Sequence, residues 1–319
     1  LKLAQKAKIT MQKFTDSKMQ GVWSATPTPL TADFALDTDS LPRLLEHHLR
    51  LGVKGMFLGG TSGEGPWLPD ATRLELASRM AKLNHGRILL AMQVTDNSSM
   101  RVLDNIKRIA DTGIDIAVIA PPFFQAKASQ EYLRDLYLEV IEKSPLPVGV
   151  YHRGKHSSVL IEPATLEAII RHPNVVVVKD SSSDVDSRNA ILRARNDRKG
   201  ELWALNGNEF DCIPYLQDGY DGLMLGGACF NGFIAGKIIA AVQAGDIPEA
   251  KAMQARMNKL MFDTFGGEGN PCWLAGQKQM LVELGIFNTN RTIIDYHITD
   301  ACLNTLRAAL KREEAYLLP

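Results

Sequence analysis

RILLAMQVTDNSSMRVLDNIKRIADTG, residues 87–113, contains the unit from which most of the chain is built. It opens on a nearly continuous apolar run, RILLAMQV (87–94), without the alternation of a strand that is wet on one face. Such a run suits a strand of a parallel sheet, covered on both sides. The period then changes. Val102, Ile106 and Ile109 recur at the spacing of one helix face, with Ser98 placed to cap the start and Gly113 after the end.

The same order extends in both directions. GVWSATP (21–27) and VKGMFLGG (53–60) come before this unit; DIAVIAPP (115–122), PVGVYHR (147–153), VVVVKD (175–180), LWALNGN (202–208) and DGLMLGG (221–227) come after. PDATRLELASRMAKLNHG (69–86) is a second clear helix, and Asp70, Ser129 and Asp184 stand as further N-caps, with Gly86 and Gly219 past helix ends. The count reaches eight strands, each followed by a helix, by about residue 243. Eight βα units predict a (β/α)8 TIM barrel. A doubly wound open sheet is the rival, but no GxGxxG follows the first strand.

Residues 244–319 carry helical periodicity alone, in IPEAKAMQARMNKLMFDTFG (247–266), PCWLAGQKQMLVELG (271–285) and TDACLNTLRAALKREEAYL (299–317). No Pro/Gly/Ser linker precedes them, so a C-terminal helical appendage packed on the barrel is expected. Residues 1–20 are set aside as an N-terminal extension. They are basic but lack the apolar core of a secretory signal. The expected division is 1–20, 21–243 and 244–319.

Composition removes several function classes. Thirty-six basic residues balance thirty-six acidic ones. That leaves no electrostatic footprint for nucleic acid or an anionic membrane. No run approaches the eighteen apolar residues of a membrane span. Cys212, Cys229, Cys272 and Cys302 form no CxxC and no Cys/His cluster, which predicts reduced thiols in the cytoplasm and no metal or other cofactor. His47, His48 and His172 fall on helix patterns and read as surface residues.

A barrel places its chemistry at the C-terminal ends of its strands. There stand GGTSGEG (59–65), Tyr151-His152-Arg153, Lys179-Asp180 and Asn206-Gly207-Asn208-Glu209. Val175 to Val178 carry Lys179 to the barrel mouth. Apolar walls around a lysine favour the neutral, nucleophilic amine; the plainer reading is a wet lysine paired with an aspartate. Free N–H groups in GGTSGEG, with the Thr61 and Ser62 hydroxyls, suit a carboxylate or a phosphate. The plainer reading there is a turn that caps a helix, and no GK[ST] makes it a Walker loop. Tyr151 either packs its ring or, beside an amine, relays protons.

Taken in order, GTSGE after the second strand, Tyr151 ending the fifth and Lys179 ending the sixth resemble the dihydrodipicolinate synthase/N-acetylneuraminate lyase family. TPTPLT (26–31), GNE (207–209), GLMLGGACFN (222–231) and GNP (269–271) extend the resemblance over about residues 21–290. It implies a class I lyase, an aldolase or dehydratase acting through a lysine imine on pyruvate or another 2-keto acid. Lys179, Tyr151 and Thr61 would be catalytic. Gly60, Thr61 and Ser62 would hold the carboxylate, and Gly207 and Met224 would also touch substrate. The resemblance implies a homotetramer built as a dimer of dimers.

Two departures bear on the second substrate. Lysine-pathway synthases carry an arginine five residues after the tyrosine, where this chain has His156. Their tyrosine pair after the fourth strand is replaced by Phe123, Phe124 and Gln125. Histidine makes no bidentate clamp on a carboxylate, and phenylalanine passes no proton. The expectation therefore moves toward a 2-keto-3-deoxy sugar acid, with His152, Arg153 and His156 reading the second half. Dihydrodipicolinate synthase itself, a non-catalytic keto-acid-binding homologue and a phosphate-binding barrel are the alternatives.

Overall fold

The computed structural model describes residues 14–125 and 128–319. Eight parallel strands close into a barrel in sequence order, with the last paired to the first. They are β1 (Gly21–Ala25), β2 (Gly55–Leu58), β3 (Leu89–Gln93), β4 (Ile116–Ile119), β5 (Val148–His152), β6 (Val175–Asp180), β7 (Trp203–Asn206) and β8 (Gly222–Leu225). Each lies within an apolar run identified above, and every residue of β6 is buried, as a strand covered on both faces requires.

Helices α2 (Ser40–Arg50), α3 (Asp70–Asn84), α4 (Ser99–Ile109), α5 (Gln130–Lys143), α6 (Pro163–Ile170), α7 (Val185–Asp197), α8 (Ile213–Asp218) and α9 (Ala228–Gln243) follow the strands in turn. Ser98, Ser129 and Asp184 cap their helices by accepting the N–H of Arg101, Tyr132 and Ser187. Asp70 does not. Pro69 takes the cap position of α3, and Asp70 in the first turn pairs with Arg73 at 2.5 Å. The appendage is α10 (Ile247–Phe265), α11 (Trp273–Glu283) and α12 (Asp300–Leu317), with α10 packed along α9.

The strand side chains divide between two cores. One fills the barrel, with Trp23, Phe57, Val118, Val177, Trp203 and Met224 among its members; the other lies between strands and helices. Trp23 crosses the floor of the barrel over Gly55, where a Cβ would lie 2.5 Å from the indole. Residues 14–20, set aside in the sequence reading, close that floor. Phe14, just before the short helix α1 (Asp16–Met19), and Met19, its last residue, are buried in the barrel core. Trp23 Nε1 donates to the Met19 carbonyl at 3.0 Å, and Trp203 Nε1 to Asp16 Oδ1 at 3.1 Å. Residues 1–13 of the expected extension lie outside the described residues.

The histidines correct another expectation. His47 and His48 lie on α2 but are wholly buried, not at the surface. His47 Nε2 meets the Cys229 carbonyl at 3.0 Å; His48 joins the Leu44 carbonyl at 2.7 Å to Ser24 Oγ at 2.9 Å. Burial pushes His47 down to about 3 and His48 to about 4, so both rings are neutral. His172 is half-buried just past the end of α6 rather than on it. The four cysteines are free and buried.

Candidate active site

A cavity of about 480 Å³ opens at the C-terminal mouth of the barrel. Its barrel-side wall contains Thr61, Ser62, Tyr151, Lys179 and Gly207, which come from four different strand ends. The parallel register sets Tyr151 of β5 beside Lys179 of β6, and Lys179 beside Leu205 of β7.

Lys179 is only 6% exposed. Its Nζ lies 4.5 Å from the centroid of the Tyr151 ring and 5.4 Å from that of Phe57. Asp180, the partner of the plainer reading, faces the other way. Its carboxylate accepts from the Ser182 N–H at 2.9 Å, from Ser182 Oγ at 2.7 Å and from the Tyr220 hydroxyl at 2.8 Å. Gly207 makes room for the lysine, since a Cβ there would sit 2.9 Å from Lys179 Cε and 2.1 Å from Ser181 Oγ.

Tyr151 is buried, edge-on to Phe57 with ring centroids 5.8 Å apart. Burial alone would push its phenol up. The Lys179 and Arg153 charges, with hydrogen bonds to Thr61 and Ser181, outweigh it and hold the phenol below the ordinary tyrosine value. The hydroxyl thus bonds to Thr61 and Ser181 while the lysine amine lies over the ring.

The GGTSGEG loop folds back on itself after β2. Thr28 Oγ1 donates to the Gly63 carbonyl at 2.6 Å and the Glu64 N–H to the Thr61 carbonyl at 3.1 Å. Thr61 and Ser62 face the cavity, whereas Gly60 packs behind them, with space for no Cβ against the Phe57 ring 2.8 Å away. Met224 is buried in the barrel core beneath the cavity and is not on its wall. Arg153 and the exposed His156 do line the cavity. His152 does not, since its Nε2 meets Ser187 Oγ on α7 at 3.1 Å. Phe123 and Phe124 lie exposed on the loop after β4, their N–H groups held by Asn97 Oδ1.

The sequence reading missed the opposite wall. Gly269, Asn270, Trp273 and Tyr296 belong to the appendage, and Glu209 and Phe210 to the loop after β7. The Trp273 and Tyr296 rings meet edge-to-face at 5.5 Å. Burial raises the Glu209 carboxyl, opposed by the Gly227 N–H that it accepts at 2.6 Å and by Lys179. The GNE and GNP motifs bracketed Glu209 and Asn270 without giving them a role. Nothing local marks Trp273 or Tyr296.

A buried ion pair ties the two walls together. Glu64 of the GGTSGEG loop and Lys278 of α11 are both fully buried and in direct contact. Lys278 Nζ also donates to the Arg291 carbonyl at 2.6 Å, and Glu64 accepts the Ile293 N–H at 2.5 Å. The segment that carries Tyr296 is thereby fastened to the loop that carries Thr61 and Ser62. Burial lowers the Lys278 pKa, and Glu64 opposes that shift. Among the described residues no group of His, Cys, Asp and Glu is arranged to hold a metal, and no helix is long and apolar enough to cross a membrane.

Comparison with known proteins shows the family. Residues 18–293 match the model of the dihydrodipicolinate synthetase family. The chain belongs to that family. Its relatives include 4-hydroxy-tetrahydrodipicolinate synthase of an Exiguobacterium species, 26% identical over 79% of this chain and 84% of the relative. N-acetylneuraminate lyase of Rhizobium meliloti is 29% identical over 76% of this chain and 80% of the relative. Dihydrodipicolinate synthase of Bacteroides thetaiotaomicron superposes with a TM-score of 0.83 at 27% identity, over 92% of this chain and 98% of the other. As a member of the dihydrodipicolinate synthetase family the protein is a lyase of the lysine-imine class.

Proposed function

We propose that the protein makes or breaks a bond in a 2-keto acid, with pyruvate as the common half, and that Lys179 is the imine-forming residue. The supporting observation is an enclosed amine that forms no ion pair with a carboxylate among the described residues, facing Tyr151 in the cavity that Thr61 and Ser62 line. The Lys179 amine gives up a proton and attacks the keto carbon, a proton returns to the departing oxygen, water leaves, and a protonated imine forms. Loss of a proton from the adjacent carbon gives an enamine. The enamine adds to an aldehyde in the synthetic direction; cleavage or dehydration runs through the same intermediate. Tyr151 and Thr61 relay the protons, and Thr61 and Ser62 hold the carboxylate.

Gly207 supplies the space that Lys179 occupies, while Arg153 and His156 face the second half of the substrate. The second half is the tail of a 2-keto-3-deoxy sugar acid. A synthase of the lysine pathway has the names of the relatives and Arg153 in its favour, while His156 and the exposed Phe123 and Phe124 weigh against it. Four free buried thiols support a cytoplasmic location. Exposed Phe123 and Phe124, 48% and 86% accessible in the single chain, support an interface with another copy of the chain, and the family resemblance supports its being a homotetramer built as a dimer of dimers. Residues 21–243 act as the barrel unit and 244–319 as its helical complement.

Borohydride trapping with pyruvate, read by intact and peptide mass spectrometry, tests the reading. A reduced adduct confined to the Lys179 peptide is expected. An unmodified native protein would remove pyruvate as substrate.

A further inference from the structure

Two of the four cysteines meet where the three helices of the appendage converge. Cys272 takes the cap position just before α11, and Cys302 lies in the first turn of α12. The Thr299 hydroxyl links them, accepting the Cys302 N–H at 3.1 Å and lying 4.0 Å from Cys272 Sγ. Both also bond to the end of α10. The Cys272 N–H donates to the Phe265 carbonyl at 2.9 Å, and the Cys302 thiol to the Thr264 carbonyl at 3.3 Å. Burial pushes the Cys302 thiol up to about 12, and its side-chain hydrogen bond with Cys272 adds to the shift. Cys212 and Cys229 stand apart from this pair, at the starts of α8 and α9.

The two thiols differ in what covers them. Cys272 lies directly behind a surface turn, residues 266–271, in which Gly266, Gly267 and Asn270 hold left-handed backbone. Gly269, Asn270 and Trp273, on either side of Cys272 in the chain, line the cavity. An exposed turn opens at lower cost than a packed helix, so a small solute reaches Cys272 first. Cys302, held protonated, waits behind it.

We infer that Cys272 and Cys302 are an oxidation site, closed by hydrogen peroxide to a disulfide that staples the cavity wall to α12. The Cys272 thiolate attacks one peroxide oxygen, the O–O bond breaks, and a sulfenic acid forms while the released hydroxide takes a proton. Cys302 sulfur then attacks the sulfenic sulfur, and its proton leaves with the displaced hydroxyl as water. Two thiols and one peroxide become one disulfide and two waters. The staple encloses residues 273–301, which carry Lys278 of the buried ion pair and Tyr296 of the wall. It thus restrains the side of the cavity that strand register does not hold.

The test is titration of the full chain with hydrogen peroxide, read by intact mass, non-reducing peptide mapping and thermal midpoint. Intact mass should fall by about 2 Da, the two hydrogens lost from the thiols. One cross-linked peptide pair, Cys272 with Cys302, should carry the change. The midpoint should rise by about 4 °C, because a disulfide limits the unfolded chain, and dithiothreitol should reverse all three. Cys302→Ser removes the second thiol, so Cys272 should stop at the sulfenic acid and be captured by dimedone, with no rise in midpoint. Cys272→Ser should give neither cross-link nor capture at Cys302.

An unmodified native chain, oxygen gain without a cross-link, or a cross-link that involves Cys212 or Cys229 would overturn the site. A Cys272–Cys302 bond that leaves the midpoint unmoved would overturn the staple. The native chain alone decides the cross-link, whatever the stability of the serine variants.

Discussion

The two walls of the cavity are built by different means. On the barrel side, Tyr151 and Lys179 are fixed by strand register, so their mutual placement follows from hydrogen-bond ladders that closure of the barrel makes rigid, and Thr61 stands on the loop that leaves β2. On the appendage side, Asn270, Trp273 and Tyr296 stand on turns and a helix start, held by packing and by the buried Glu64–Lys278 pair. The difference teaches which wall of the cavity can change without the other. A register cannot shift by one residue without turning Lys179 out of the cavity. A turn or an aromatic ring can change while the register stays.

The comparison predicts a graded series. Lys179→Ala should abolish both trapping and turnover while the barrel stays folded, as circular dichroism would verify; residual trapping on another lysine would break the assignment. Tyr151→Phe keeps the ring beside the amine and removes only the hydroxyl. It should lower kcat by about 10²–10⁴-fold with little change in thermal midpoint.

Lys278→Met addresses the tie between the walls. It leaves Glu64 buried without its cation and should cost about 3–5 kcal/mol in denaturant unfolding. Glu64→Gln combined with Lys278→Met should recover part of that loss, because no uncompensated charge remains. A double variant no better than the single one would show that the pair acts through packing alone.

The smallest effect lies on the barrel side, at His47 and His48. Both are held below the unfolded histidine value, so the folded rings are neutral at pH 7 and the stability they permit is intact above about pH 6.5. As pH falls through that value the unfolded chain takes up protons that the folded rings refuse. Stability should fall progressively toward about pH 3–4, by roughly 1 kcal/mol per ring at pH 6. Urea midpoints at pH 8 and pH 6 for the native protein and His48→Gln would measure it. An equal pH dependence in the two would remove His48 as a cause.

Most of the barrel was legible because its signals are local. A strand buried on both faces must be apolar throughout, and each of the eight runs was. Ser98, Ser129 and Asp184 could be read as caps because a cap acts within three residues. Asp70 misled because Pro69 took the cap, and an aspartate in the first turn satisfies the same preference for negative charge there. His47 and His48 misled because a helix pattern does not say which further helix will cover it; Cys229 and Ser24, which their rings meet, lie far away in sequence.

By itself the sequence determined the order of strands and helices and which residues stand at the strand ends. Alternating βα units leave the chain one favourable way to wind, and a lysine after four valines has one end of the barrel to reach. The tertiary structure decided that Met224 and Gly60 withdraw behind the wall, that residues 14–20 seal the floor, and that Asn270, Trp273 and Tyr296 complete the cavity. Those outcomes depend on volumes and on charges paired across long stretches of chain, as with Glu64 and Lys278, and no periodicity encodes a contact between residues so far apart.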